Sequence, residues 1–185
     1  MPHAEIDTGC VLNRRPVHLR TIDDLAAEVE RVAAAAAAGR IRPSGNWSAA
    51  QVLWHIGKLM EFSFDGFSWR YRRGPLWLTR SLRFLAWRWL IRMAFRPGFQ
   101  NPPEAAALEP AAGLAFEETA CYLRRQIERI RRGEQMTQES AVEGPYSHEQ
   151  WVYIHLRHAE LHLSFLAIEE TRSAEPVAAA VRPRE

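Results

Sequence analysis

The stretch SHEQWVYIHLRHAELHLSFL, residues 147–166, carries His155, His158 and His162, three of the seven histidines in the chain. Ser147 followed three positions later by Gln150 is a helix-opening capping box. On a helix turning about 100° per residue, His158 and His162 lie about 40° apart and all three imidazoles fall in a stripe about 60° wide. Trp151, Ile154 and Phe165 share that face, while Arg157, Glu160 and Ser164 point away from it. The histidines therefore face a core, where each ring nitrogen needs a partner or costs free energy. Two readings follow from the residues: a metal site, or core histidines hydrogen-bonded to their neighbours.

A second stretch repeats the device. In NWSAAQVLWHIGKLMEFSFDGF, residues 46–67, Ser48 and Gln51 form another capping box. His55 shares a helix face with Gln51, Val52, Leu59, Phe62 and Gly66, whereas Glu61 lies about 120° away from it. His158 and His162, spaced i, i+4, have Cβ atoms about 6 Å apart, which suits two imidazoles chelating one ion. A third imidazole from a neighbouring helix, His55, would complete a facial set with open positions, the form of a catalytic site. The H-x-x-x-H spacing alone is a weak signal.

Around these two helices the pattern is helical throughout. Thr21-Ile22-Asp23-Asp24 caps a helix whose stripe is Ile22, Leu25, Val29 and Val32 and whose stop is Gly39. Residues 97–110 are a proline-rich crossover, and 111–132 predict a third bundle helix ending at Gly133. Periodicity carries the last helix toward Ile168, with Glu169 near its end on the site face, and no strand pattern is visible. Residues 69–96 hold four of the seven tryptophans among eight arginines that scatter around a helical wheel. Arginine stems covering apolar surface of the bundle or a dimer seam account for that composition. Membrane contact through 75–95 and single-strand nucleic-acid binding are the weaker alternatives. The fold expected is all-α: a four-helix bundle domain over 12–170 with an aromatic and Arg-rich helical insertion between helices 2 and 3, and flexible termini at 1–11 and 171–185.

Bulk properties narrow the class. One domain is expected from 185 residues, and a net charge of +2 implies no nucleic-acid field. Lys58 is the sole lysine among abundant arginine and alanine, a bias expected of high-GC bacterial coding. Cys10 and Cys121 form no disulfide framework, no apolar run marks a signal peptide, and no uncharged window spans a membrane, so a cytoplasmic protein is expected. Cys121 is expected as a small core residue. His148, in the first turn of its helix, is expected to be exposed, and His3 and His18 fall in an irregular N-terminal segment.

GNWSAAQVLWHIG at 45–57, followed about a hundred residues later by HEQWVYIHLRHAELHLSFL at 148–166, resembles the DinB-like family of metal-binding four-helix bundles. RRPVHLRTIDDLAAEVERV at 14–32 and MEFSFDGF at 60–67 look like one branch of it, a domain of unknown function. The resemblance implies a divalent ion, commonly Zn or Ni, on His55, His158 and His162. It also implies a homodimer, and relatives that are thiol-dependent S-transferases or a mycothiol-dependent maleylpyruvate isomerase. Two departures stand out: Leu161 where relatives often place the first of a His-His pair, and Ser140-Ala141 where they often carry His-Pro. Neither removes one of the three ligands. His155 is an extra histidine on the same face, either a group hydrogen-bonding to a ligand, a general base, or a core histidine bonded to a carbonyl.

The function expected is thus a metal-dependent transferase or hydrolase acting on a small electrophilic substrate with a low-molecular-weight thiol. The alternative is a non-catalytic dimeric bundle with a structural or binding role.

Overall fold

The computed structural model describes residues 8–11, 14–69, 95–98, 103–141 and 145–169. Among them four main helices pack together: α1 (Ile22–Ala37), α2 (Ala49–Asp65), α3 (Phe116–Arg131) and α4 (His148–Leu163). Three of these begin where a side chain satisfies the first free backbone donors. Thr21 with Asp24, Ser48 with Gln51 and Ser147 with Gln150 each form a complete capping box. The fourth, α3, begins at Ala115 with no side-chain cap. Glu117 and Glu118 in its first turn and Arg129 and Arg131 in its last complement the helix dipole instead. Its start lies later than position 111 because Gly113, at φ 76°, turns the chain in the left-handed region just before it.

The main core is the meeting of four apolar stripes: Leu25, Val29 and Val32 from α1; Leu53, Ile56 and Met60 from α2; Leu123 and Ile127 from α3; Leu156 and Leu163 from α4. The approach of α2 to α3 depends on Gly57. A Cβ there would stand 2.8 Å from Cε1 of Tyr122 and 3.5 Å from Cα of Leu123, so only a glycine admits the neighbouring helix this closely.

A two-stranded antiparallel sheet joins β1 (Ile41–Pro43) to β2 (Leu166–Ile168), with Arg42 opposite Ala167. Periodicity missed it, since three residues are too few to display alternation and apolar residues following a helix mimic its continuation. The last helix consequently ends at Leu163, not at Ile168. Its free carbonyls are met by the strap at 14–20: the Arg15 backbone N–H donates to Ser164 O at 2.9 Å, and the Arg15 guanidinium donates to Leu166 O at 2.9 Å and Leu163 O at 3.2 Å. Arg15 also pairs with Glu28 of α1 at 2.5 Å, tying the strap to two helices.

Between α2 and α3 the 3-10 segment Pro103–Leu108 is pinned by Ala105 and Leu108 packing on Phe62. That contact holds the Leu108 carbonyl over α2. The Trp/Arg-rich insertion, apart from its two ends, and both chain termini lie outside the described residues, and with them the membrane contact considered for 75–95. No described helix is long and apolar enough to cross a membrane.

Candidate metal centre

His55 sits two turns into α2, on the face turned toward α4, and is 3 % exposed. Its Nδ1 lies 2.8 Å from the Leu108 carbonyl oxygen. A carbonyl only accepts, so Nδ1 carries the hydrogen and Nε2 carries the lone pair, the tautomer a metal ligand needs. That lone pair faces α4, where Nε2 of His158 is 3.0 Å away. His162 completes the group, and one ring nitrogen from each of the three imidazoles lies within 4.8 Å of the others. The two pairs involving His162 meet edge to face with ring centroids 4.5 Å apart, and the His55 and His158 rings are tilted at 50° with centroids 4.8 Å apart.

Aromatic walls surround the cluster. Trp47, immediately before the Ser48 cap, lies 4.6 Å from the His55 ring and stacks on His162 at 5.4 Å. Phe95 packs on His158 at 5.3 Å. His158 is 4 % exposed, whereas His162 is half-buried and gives the cluster its open side.

Electrostatics keeps the rings neutral. Burial lowers the pKa of His55 below the ordinary histidine range, against the opposing pull of the Leu108 carbonyl and Glu109. Burial pushes His158 and His162 well below that range, and the neighbouring imidazoles push in the same direction. At neutral pH all three offer lone pairs without first losing a proton.

Donors bonded to one ion at about 2.0–2.1 Å and set at right or tetrahedral angles stand about 2.8–3.4 Å apart. The His55–His158 pair already has that spacing. Three convergent neutral imidazoles, one with its tautomer fixed by a carbonyl, are a donor set that suits a divalent ion. The cluster could therefore hold a metal ion.

Another buried histidine stands elsewhere. His155 is fully buried, stacks on Trp151 at 5.5 Å and directs Nε2 to the Ser63 hydroxyl at 2.9 Å, apart from the three-histidine group. Burial pushes its pKa down to about 3. His148 is half-buried, not exposed, and its Nδ1 accepts the Met136 backbone N–H at 3.2 Å. Cys121 is exposed, not in the core. Glu169, expected on the site face, instead pairs with Arg42 at 3.0 Å beside the small sheet, because the chain has left the helix before reaching it. Glu61 turns to Lys58 and to the Tyr122 hydroxyl, away from the imidazoles. His18 is exposed, and His3 lies outside the described residues.

Three contributors escaped sequence reasoning. The Leu108 contribution is a backbone carbonyl and leaves no side-chain signal. Phe95 and Ser63 contribute through tertiary contacts that helical periodicity does not encode. A groove of about 560 Å³ between α1 and α3, lined by Ala26, Glu30, Cys121 and Arg124, lies away from the cluster. A cavity of about 400 Å³ lined by Arg14, Arg157, Leu161 and Phe95 touches it, since Phe95 also packs on His158.

A family model described as "Protein of unknown function (DUF1569)" matches residues 13–169. No curated protein and no solved structure matches the chain. With the match running from the Arg15 strap through the small sheet, the chain belongs to the DUF1569 family of proteins of unknown function.

Proposed function

We propose that this chain is a DinB-like bundle that holds a divalent ion, Zn or Ni, on His55, His158 and His162 and catalyses transfer of a low-molecular-weight thiol, or of water, to a small electrophilic substrate. The observation that carries the proposal is the Leu108 carbonyl on Nδ1 of His55, which leaves the Nε2 lone pair directed at His158. A bound divalent ion supplies Lewis acidity, lowering the pKa of a thiol or water in an open position. The chain's own residues do the rest. His55 and His158 are held rigidly by burial, and the partly exposed His162 leaves an approach for substrate. Trp47 and Phe95 exclude bulk water from two sides of the cluster. The arginine-lined cavity behind Phe95 offers space for the thiol carrier or the electrophile. A homodimer is part of the proposal, on the same resemblance.

The test is metal analysis of purified protein beside the His158→Ala variant, with a thiol-transfer assay on the wild type. About one ion per wild-type chain, lost in the variant, is expected. Wild-type protein that takes up no stoichiometric metal after incubation with Zn or Ni overturns the proposal. Metal-loaded protein that transfers no thiol and hydrolyses no electrophile overturns the enzymatic half alone.

A further inference from the structure

Two buried ring nitrogens on α4 have no hydrogen-bond partner among the described residues: Nδ1 of His155 and Nδ1 of His158. Their chemistry can be worked out from their surroundings. Ser63 donates its hydroxyl hydrogen to the Met60 carbonyl at 2.6 Å, so toward His155 its oxygen accepts. His155 therefore carries its hydrogen on Nε2, and its Nδ1 is a bare acceptor. His55, with its hydrogen on Nδ1, likewise offers only an acceptor to His158. Without an ion, His158 donates Nε2–H to His55 and its Nδ1 is bare. With an ion shared between the rings, His158 must present a lone pair at Nε2 and carry its hydrogen on Nδ1. Nδ1 of His158 thus needs a partner that accepts in one condition and donates in the other.

His155 lies three residues away on the same helix, a spacing that sets Cβ atoms about 5–6 Å apart. A water reaching both nitrogens serves in either condition, because it can donate to two bare nitrogens or accept from one and donate to the other.

We propose that His155 is a positioning residue for His158: through one bridging water its bare Nδ1 supports Nδ1–H of His158 and so turns the Nε2 lone pair toward His55 and His162. The proton count is conserved. The hydrogen given up at Nε2 of His158 is matched by one gained at Nδ1, and His158 remains neutral throughout. The inference rests on the metal-binding reading of the three-histidine cluster.

The test is competitive titration of the chelator-stripped full-length chain with Zn(II), comparing wild type, His155→Phe and His155→Gln, together with 15N-detected tautomer assignment of His158. His155→Phe is expected to lose about 10–100-fold in affinity while keeping the wild-type stoichiometry and melting temperature. His155→Gln, whose side-chain oxygen accepts from the same water, is expected to recover most of the loss. Zn(II) is expected to shift the His158 hydrogen to Nδ1 in the wild type. Wild-type affinity in His155→Phe overturns this inference and leaves the metal site standing. Equal weakening of both variants with lowered melting temperatures assigns His155 to packing alone and overturns it too. Wild-type protein that binds no Zn(II) overturns the inference together with the function on which it rests.

Discussion

Lowering the pH should destabilise the metal-free protein through His155 by an amount that can be worked out. The ring is fully buried and burial pushes its pKa down to about 3, against about 6.5 in an unfolded chain. Between those values the unfolded state binds the extra proton, so the stability due to a neutral His155 is complete above about pH 6.5 and is lost as pH falls toward 3. The slope approaches about 1.4 kcal/mol per pH unit. Going from about pH 7.5 to 5.5 therefore costs about 1 kcal/mol, and to about pH 4.5 it costs about 2–3 kcal/mol, from this one side chain. The other buried histidines and the acidic groups add losses that a comparison with His155→Phe subtracts. Phenylalanine keeps a ring on Trp151, and Ser63 remains satisfied by the Met60 carbonyl. Urea unfolding followed by circular dichroism in chelator, at the three pH values, gives the difference. Wild type should lose about 1 and then about 2–3 kcal/mol more than the variant. Parallel pH dependence in the two proteins would refute the claim that His155 is held neutral by burial.

Further outcomes are expected elsewhere. Gly57→Ala should destabilise by about 1 kcal/mol despite better helix propensity, because the new methyl meets the Tyr122 ring, whose hydroxyl is anchored on Glu61. Thermal melts of Gly57→Ala with and without Tyr122→Ala should show a less than additive loss. Ser48→Ala and Ser147→Ala should each cost about 1 kcal/mol in denaturant melts, the loss of a cap on the two helices that carry the cluster. Arg15→Met should cost about 2 kcal/mol, since it leaves the buried Glu28 with Arg31 alone and uncaps the end of α4. Hydrogen exchange should then rise first at 163–166.

Much of the bundle is legible in the chain because it is local. The capping boxes at Thr21, Ser48 and Ser147 announce three helix starts, and the stripe of α1 sets which face is buried. The same local arithmetic placed His55, His158 and His162 on inward faces. It also placed His155 there, and only the i, i+4 spacing and the family resemblance, not the wheel, set His155 apart as an extra histidine. A helical wheel records angle and discards height, whereas seven residues raise His162 about 10 Å above His155 along the axis. With α2 antiparallel to α4, the lower level of α4 meets Ser63 and the upper level meets His55. Which histidines form the cluster was thus decided by tertiary packing. So was the tautomer of His55, fixed by a carbonyl from residue 108 that packing on Phe62 carries across α2. The end of α4, the pairing of β1 with β2 and the removal of Glu169 from the site face follow from contacts with residues more than a hundred positions away. Periodicity reports how a segment divides between core and solvent. It carries no information about which partner stands at which level, and at this cluster the partner decides which nitrogen holds the proton.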